Sequence, residues 1–424
     1  QEKVEFNAKL CIMNMAVHGL NAKIISGDEA NSFYHDAHNL DGSCDYVMAN
    51  PPFNVDKVKA ESTRNAGRLP FGLPGVNPKK EISNANYLWI SYFYSYLNDT
   101  GRAGFVMPAS ATDSGNRDRE IRKQLIQTGD VDCMISVANN FFYKVTLPCS
   151  LWFFDKGKKE ELKDKVLFID SRNYYTVVDR TLNEWSEWQM KNLNAIVWLH
   201  RGEIDKYKKL LRDYSSQIIN DCKELDAEFE SLSVFLNGFN DKLAPLRTQI
   251  SDIVKTAGDV NQLLPLNELL KRYITELNAS VKAFIEYGAG LEKVEANKFA
   301  KSFEESAVTW DRFKKSISVR IEETVSQIKA CRAVIKQVKW LTDKFGEGSY
   351  VDVSGLCKVA TIDEMEEKNW SLTPGAYVGI TPLEATDENF EDRMIEIKKE
   401  LLSLQAEANQ LIDIIASNFE EMGI

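Results

Sequence analysis

The alternation of apolar and polar positions changes character twice along the chain. Near the start, "EFNAKLCIMNMAVHGL" places Phe6, Leu10, Met13, Val17 and Leu20 three or four residues apart, which is one face of a helix. Gly19 stands near its end as a stop signal. "AKIISGD" reads as a short strand leading to Gly27-Asp28, and "CDYVMAN" as the next strand. After a long Gly/Pro-rich loop, "ANYLWISYFYSYLNDTGR" reads as a helix ending at Gly101, and "AGFVMP" as a strand stopped by Pro108. "NRDREIRKQLIQTG" is a predicted helix, and "VDCMISV", "SLWFFDKG" and "KVLFIDS" are predicted strands. Strands alternating with helices predict an α/β fold with a parallel, doubly wound sheet.

From residue 201 the period is helical throughout. Apolar residues recur at 207, 211, 214, 218, 225, 229 and 232, and "LLPLNELLKRYITELNASVKAFIEY" and "ISVRIEETVSQIKACRAVIKQVKWL" behave alike. Residues 201–345 are therefore expected to be a helical insertion following a domain over 1–200. Residues 346–386 are mixed and rich in Gly and Pro. The last segment carries Phe390, Met394, Ile397, Leu401, Leu404, Ala408, Leu411 and Ile415 at alternating spacings of four and three, with Asp387 as N-cap. That is a 3.5-residue period, the pattern of a coiled-coil seam. The C-terminal region, 346–424, is thus expected to end in a helix docking on a partner; a helix lying on its own domain is the plainer alternative.

Charge and cysteine content narrow the picture. The net charge of −11 divides as −1 over residues 1–200, +2 over 201–345 and −12 over 346–424. No bulk basic footprint marks a nucleic-acid binder, so any such role needs a local patch or a partner that brings charge. No run of eighteen apolar residues appears, so no membrane-spanning helix is expected. The seven cysteines are scattered, without C-x-x-C spacing, as in a cytoplasmic protein with free thiols. The four histidines form no metal signature.

Candidate chemistry centres on "DYVMANPPFN", residues 45–54. Pro51 and Pro52 end the strand, fix their own φ angles and donate no hydrogen bond. The Asn50 side chain and the Pro51 carbonyl become preset acceptors, with the flat face of Phe53 beside them. Two acceptors and an aromatic face suit a planar group bearing an amine. Holding both amino protons on fixed acceptors favours a pyramidal nitrogen whose lone pair can attack an electrophile, with no general base required. A simple turn capping a strand is the alternative. Asp28 lies 22 positions upstream at another expected strand end, the edge where ligands of α/β sheets sit; there too an Asx turn is the plainer reading.

Those stretches, with "QEKVEFNAKLCIMNMAVHG", "ANYLWISYFYSYLNDTGRAGFVMP", "EIRKQLI", "TLPCSLWFFDKGK", "LFIDSRN" and "VSGLCKVATIDEMEEKNWSLTPGAYVG", resemble the methylation (modification) subunit of type I restriction–modification systems, N6-adenine DNA methyltransferases. The resemblance covers most of 1–200 and 350–424 and is weak over 205–345. It implies a Rossmann-like methyltransferase sheet, S-adenosyl-L-methionine as cofactor, adenine N6 in DNA as the methyl acceptor, and specificity and restriction (endonuclease) subunits as partners. Asn50, Pro51, Pro52 and Phe53 match the family's catalytic motif. Glu2 matches the acidic residue for the cofactor's ribose hydroxyls, and Asp28 the position near its adenine. Phe141, Phe142 and Tyr143 lie where the family has an aromatic near the flipped base, so Phe53 and Phe142 are the expected stacking rings. The family's Gly-rich cofactor loop should precede Glu2 and is absent, as is its N-terminal helical domain. A truncated methyltransferase domain, with little activity alone, is therefore expected. Methylation of cytosine N4, RNA or a protein glutamine amide would use the same turn, and a non-catalytic fragment that assembles with a specificity subunit is the alternative from another class.

Overall fold

The computed structural model describes residues 1–142, 146–303 and 309–380, and single positions at 394, 398, 401, 405, 408, 409 and 412. Residues Gln1–Gly379 form one compact unit and Ile380–Ile424 a second. Most of the expected C-terminal heptad, Phe390 to Ile415, lies outside the described residues. Met394, Leu401 and Ile412 on it are exposed.

The first unit opens with α1 (Glu5–Val17), β1 (Cys44–Ala49), the short β2 (Val58–Lys59), α2 (Ala60–Asn65) and β3 (Glu81–Ile82). It continues through α3 (Asn86–Ser95), β4 (Leu97–Pro108), α4 (Asn116–Gln127), β5 (Val131–Val137), β6 (Cys149–Asp155) and β7 (Lys165–Asp170). One six-stranded sheet has the order β1-β4-β6-β5-β7-β10, where β10 is Cys357–Thr361. The pairs β1–β4 and β5–β7 are parallel; β4–β6, β5–β6 and β7–β10 are antiparallel. The α/β class is as expected, but the sheet is mixed rather than wholly parallel. Among the described residues no helix lies between β5 and β6, which pair antiparallel. The carboxyl ends of β1, β4, β5 and β7 consequently share one edge: Ala49, Pro108, Val137 and Asp170.

Two expected boundaries move. "AKIISGD" is not a strand: only an isolated parallel bridge, Glu2 to Ser26, forms there. A strand needs a ladder of pairs, and one bridge does not make it. The helix expected to reach Gly101 stops at Ser95, because the Gly42 and Cys44 amides take the Ser95 and Tyr96 carbonyls and draw the chain into the sheet. At Gly101 a Cβ would come within 2.6 Å of the Cys44 carbonyl oxygen, so glycine permits that close approach.

Each face of the sheet carries its own core. On one, Trp152, Phe154 and Phe168 pack against α3, α4 and the strap that holds α11 (Ile362–Glu367), Trp370 and Tyr377. On the other, Cys133, Ile135, Leu167 and Ile169 pack beneath α5 (Glu187–His200), which a Ser186–Gln189 capping box begins. Between β7 and α5 a small hairpin stands out, β8 (Thr176–Asp179) and β9 (Leu182–Glu184). The helical stretch forms α6 (Ile204–Phe235), α7 (Leu243–Thr256), α8 (Leu266–Ala289), α9 (Lys293–Phe303) and α10 (Trp310–Phe345). Of its periodic residues, Tyr207, Tyr214, Ile218, Leu225, Phe229 and Leu232 are buried and Leu211 is partly buried against them, in a core continuous with that of the sheet. Gly288 lets α8 approach α10: a Cβ there would lie 2.2 Å from the Trp310 ring. By contrast, the apolar face of α1 is open, and on β1 Tyr46 and Met48 are 78% and 93% exposed.

Candidate active site

The catalytic candidate sits where the sheet dictates. β1 ends at Ala49, and Asn50-Pro51-Pro52-Phe53 turns out of its carboxyl end. Pro51 is buried and anchors the turn, while Asn50 and Pro52 are exposed and Phe53 half-buried. Among the described residues nothing donates to the Asn50 side chain or to the Pro51 carbonyl, so both acceptors are without partners there. The turn ends at Asn54, held in the left-handed region at φ 54°, which asparagine tolerates better than most residues.

Two asparagines fix that end. Asn86 Oδ1 accepts the Asn54 backbone N–H at 2.9 Å, and Asn86 Nδ2 donates to Asn54 Oδ1 at 2.9 Å. Asn84 Nδ2 donates to the same Asn54 Oδ1 at 3.0 Å. Neither Asn84 nor Asn86 stands out in the sequence; the only signal is their place at the start of a helix, where asparagine commonly serves as a cap. Tyr87, next to Asn86, donates to the Ala111 carbonyl at 2.7 Å and so ties α3 to the carboxyl end of β4.

The first forty residues flank this turn. Glu2 bonds through its N–H to the Ile25 carbonyl, and its Oε1 accepts the Val4 N–H at 2.8 Å, while Oε2 has no partner among the described residues. The bridge to Ser26 brings Glu2 close to Gly27-Asp28, so these two predicted residues share one corner of the fold. Gly27 has φ 92°, a conformation open to glycine, and it delivers Asp28 to an exposed position. The Asp28 carboxylate has no hydrogen bond among the described residues. Gln1 clamps the following loop, donating to the His35 carbonyl at 2.9 Å and accepting the Ala37 N–H at 3.1 Å. Tyr34 Oη accepts the Lys59 N–H at 3.1 Å, which joins that loop to the strand that follows the catalytic turn. A cavity of about 420 Å³ runs along β1 between this loop and α3, lined by Gln1, Asp36, Tyr46, Met48 and Trp89 among others. Asp36 Oδ1 and Trp89 Nε1 are buried without partners among the described residues. His38 also lines it, held below the usual imidazole value chiefly by burial.

The aromatic candidates separate. Phe141 is committed to the protein, its ring 4.9 Å from Trp185 and 6.0 Å from Tyr175. Phe142 has no ring neighbour among the described residues and is half-buried. Tyr143 lies outside the described residues. The loop carrying them is braced from behind, since Asn183 donates to the Asn139 and Asn140 carbonyls.

Comparison with known proteins gives the class: residues 1–221 match the N-6 DNA Methylase family, and the chain belongs to it. Over 186 residues it is 38% identical to the type I restriction enzyme MjaIX methylase subunit of Methanocaldococcus jannaschii, covering 44% of this chain and 32% of that one. Over 186 residues it is 33% identical to the type I restriction enzyme HindI methylase subunit of Haemophilus influenzae, covering 43% and 40%. A solved type I restriction-modification methyltransferase subunit from Streptococcus thermophilus matches with a TM-score of 0.40 and 22% identity, over 46% of this chain and 40% of that one. The chain thus spans about a third to two fifths of the length of these curated relatives. No described helix is long and apolar enough to cross a membrane.

Proposed function

We propose that this chain is the methylation subunit of a type I restriction–modification enzyme and transfers a methyl group from S-adenosyl-L-methionine to adenine N6 in DNA. The observation that carries the reading is the Asn50–Phe53 turn at the carboxyl end of β1, whose Asn50 amide oxygen and Pro51 carbonyl have no partner among the described residues. Both accept hydrogen bonds, and an exocyclic amine offers two donors. Phe53 gives the base a face on which to stack, and Phe142 a second across the edge.

The residues present suit the adenosine part of the cofactor. Among the described residues one carboxylate oxygen of Glu2 and both of Asp28 are without partners, so hydroxyl and amino donors would find acceptors there. When bound, S-adenosylmethionine supplies an electrophilic methyl on a sulfonium sulfur. The protein's part is to extract and orient the base. With both amino protons on Asn50 Oδ1 and the Pro51 carbonyl, the nitrogen would become pyramidal and its lone pair available for attack on an electrophile. Asn50 Oδ1 and the Pro51 carbonyl would stabilise the positive charge that methylation places on the nitrogen, and one amino proton would then pass to solvent. Fixed dipoles of this kind are worth about 3–4 kcal/mol in a dry site.

Sequence recognition in this reading belongs to a specificity subunit, and the chain also assembles with a restriction subunit. The acidic C-terminal segment, with exposed Met394, Leu401 and Ile412 on a helical repeat, is suited to packing on a partner helix rather than on phosphates. The test is a methylation assay with the assembled complex, a labelled methyl donor and a DNA library, followed by nucleoside analysis. N6-methyladenine at one sequence context supports the proposal. Label only in N4-methylcytosine, RNA or protein overturns the assigned acceptor.

A further inference from the structure

The structure holds the far end of the Asn50–Phe53 turn with side chains 30 and 32 residues away, and the orientation of each amide is determined. The Asn54 backbone N–H can only donate, so the Asn86 atom 2.9 Å from it must be Oδ1. Asn86 Nδ2 then faces Asn54, and the Asn54 atom 2.9 Å away must be Oδ1. Asn84 Nδ2 donates to that same oxygen at 3.0 Å, and Asn84 Oδ1 accepts the Asn86 backbone N–H at 2.9 Å. The Ala85 N–H adds a bond to the Val55 carbonyl at 2.9 Å. Every polar atom in this ring has one assignment. Asn86 is 3% exposed and sits at the first position of α3, so the ring is anchored to a buried helix rather than to a loop.

We infer that Asn86 is a positioning residue for the methyl-transfer step, acting through Asn54 to set the Phe53 ring and the Pro51 carbonyl. This rests on the function proposed above. Phe53 is fixed on one side by Pro52, whose φ is locked. On its other side Asn54 adopts φ 54°, a conformation that would relax without the clamp. Asn86 supplies both halves of that clamp, an acceptor for the Asn54 backbone and a donor for its side chain. Without it, Asn54 loses its backbone bond and one of its two side-chain bonds and is held only by Asn84 and by the Ala85–Val55 bond beyond it, and a displacement of about 1 Å at a reacting geometry costs about a hundredfold in rate.

The ring also predicts an asymmetry. Asn54 uses its side chain only as an acceptor among the described residues, so Asn54→Asp keeps both bonds and remains compatible with a left-handed backbone. Asn86 uses its side chain as donor and acceptor, so Asn86→Asp keeps the backbone bond but sets carboxylate oxygen against the Asn54 carbonyl oxygen. Asn84→Ala, a change at a partly exposed site, removes only the outer bonds of the ring.

The test measures kcat and KM for DNA and cofactor in the complete complex, with amide hydrogen exchange over residues 50–57 as a readout independent of activity. For Asn86→Asp we expect kcat reduced about tenfold to a hundredfold. Cofactor KM should stay within about twofold, and exchange at residue 54 should be markedly faster. Asn54→Asp should lose less kcat than Asn86→Asp, and Asn84→Ala should fall between the two, which keeps the inference testable if Asn86→Asp fails to fold. Parental kcat and exchange in Asn86→Asp, or equal losses in Asn54→Asp and Asn86→Asp, would overturn it. If Asn50→Ala itself methylates at the parental rate, the proposed function fails, and unchanged exchange in Asn86→Asp or Asn84→Ala would then separately reject the clamp.

Discussion

Replacing Arg122 with Met tests whether the strap around Trp370 holds up the active-site edge. The Arg122 side chain is buried, with 1% exposure, between α4, α3 and the strap. Its Nε donates to the Trp370 carbonyl at 2.5 Å, and Nη1 donates to Tyr87 Oη at 2.9 Å and to the Ser114 carbonyl at 2.8 Å. Its carboxylate partner, Asp113, is 3.8 Å away and 66% exposed, so the ion pair itself contributes little. Methionine fills the stem volume but leaves two backbone carbonyls without this donor. Each orphaned buried acceptor costs about 1–3 kcal/mol, and relief of the cation's desolvation offsets part of that. A net loss of about 2–4 kcal/mol follows. Trp370 also holds a left-handed backbone at φ 61°, unfavourable for an aromatic residue, and so depends on such anchors. Urea unfolding followed by tryptophan fluorescence gives the difference directly. A loss below about 1 kcal/mol, with the strap still protected from hydrogen exchange, would refute this reasoning.

The pH dependence should report on His200. Burial holds its imidazole down at about 4, against an ordinary value of 6.5, and its Nε2 has no partner. Between those values the unfolded chain binds a proton that the folded one refuses, so stability is fully present above pH 6.5 and falls as pH drops towards 4, by about 3 kcal/mol in all. Unfolding titrations of the parent and His200→Phe should differ in slope across that window, and identical slopes would contradict the assignment. At the C-terminus, the double change Leu401→Asp/Leu404→Asp places charges on the seam and should cost several kcal/mol of assembly, read by co-purification with the specificity subunit. An unchanged affinity with a folded variant would show that this seam does not carry the assembly.

What the sequence could reveal was set by the range of each interaction. The Asn50-Pro51-Pro52-Phe53 turn was legible because proline acts on its own backbone and needs no distant partner. β5, β6 and β7 were legible because each is a short apolar run with a defined stop. The clamp on Asn54 was not, since Asn84 and Asn86 act across about thirty residues and resemble ordinary helix-cap asparagines. The segment before Gly27 has strand-like composition, yet composition cannot supply a neighbour, and a single bridge forms. The end of α3 was misplaced because pairing with β1, not local propensity, decides where the helix gives way to β4. The antiparallel β6 could have been anticipated from the missing crossover helix. Similarly, Phe141 became distinguishable from Phe142 only when Trp185 was brought against it.

The most direct test of the central claim is methylation by the complete complex carrying Asn50→Ala. Asn50 is exposed and makes no described hydrogen bond within the protein, so folding and cofactor affinity should be unchanged. Loss of one preorganised acceptor should lower the rate of N6-methyladenine formation by about a hundredfold or more. Formation of N6-methyladenine by Asn50→Ala at near the parental rate would contradict the role assigned to the turn.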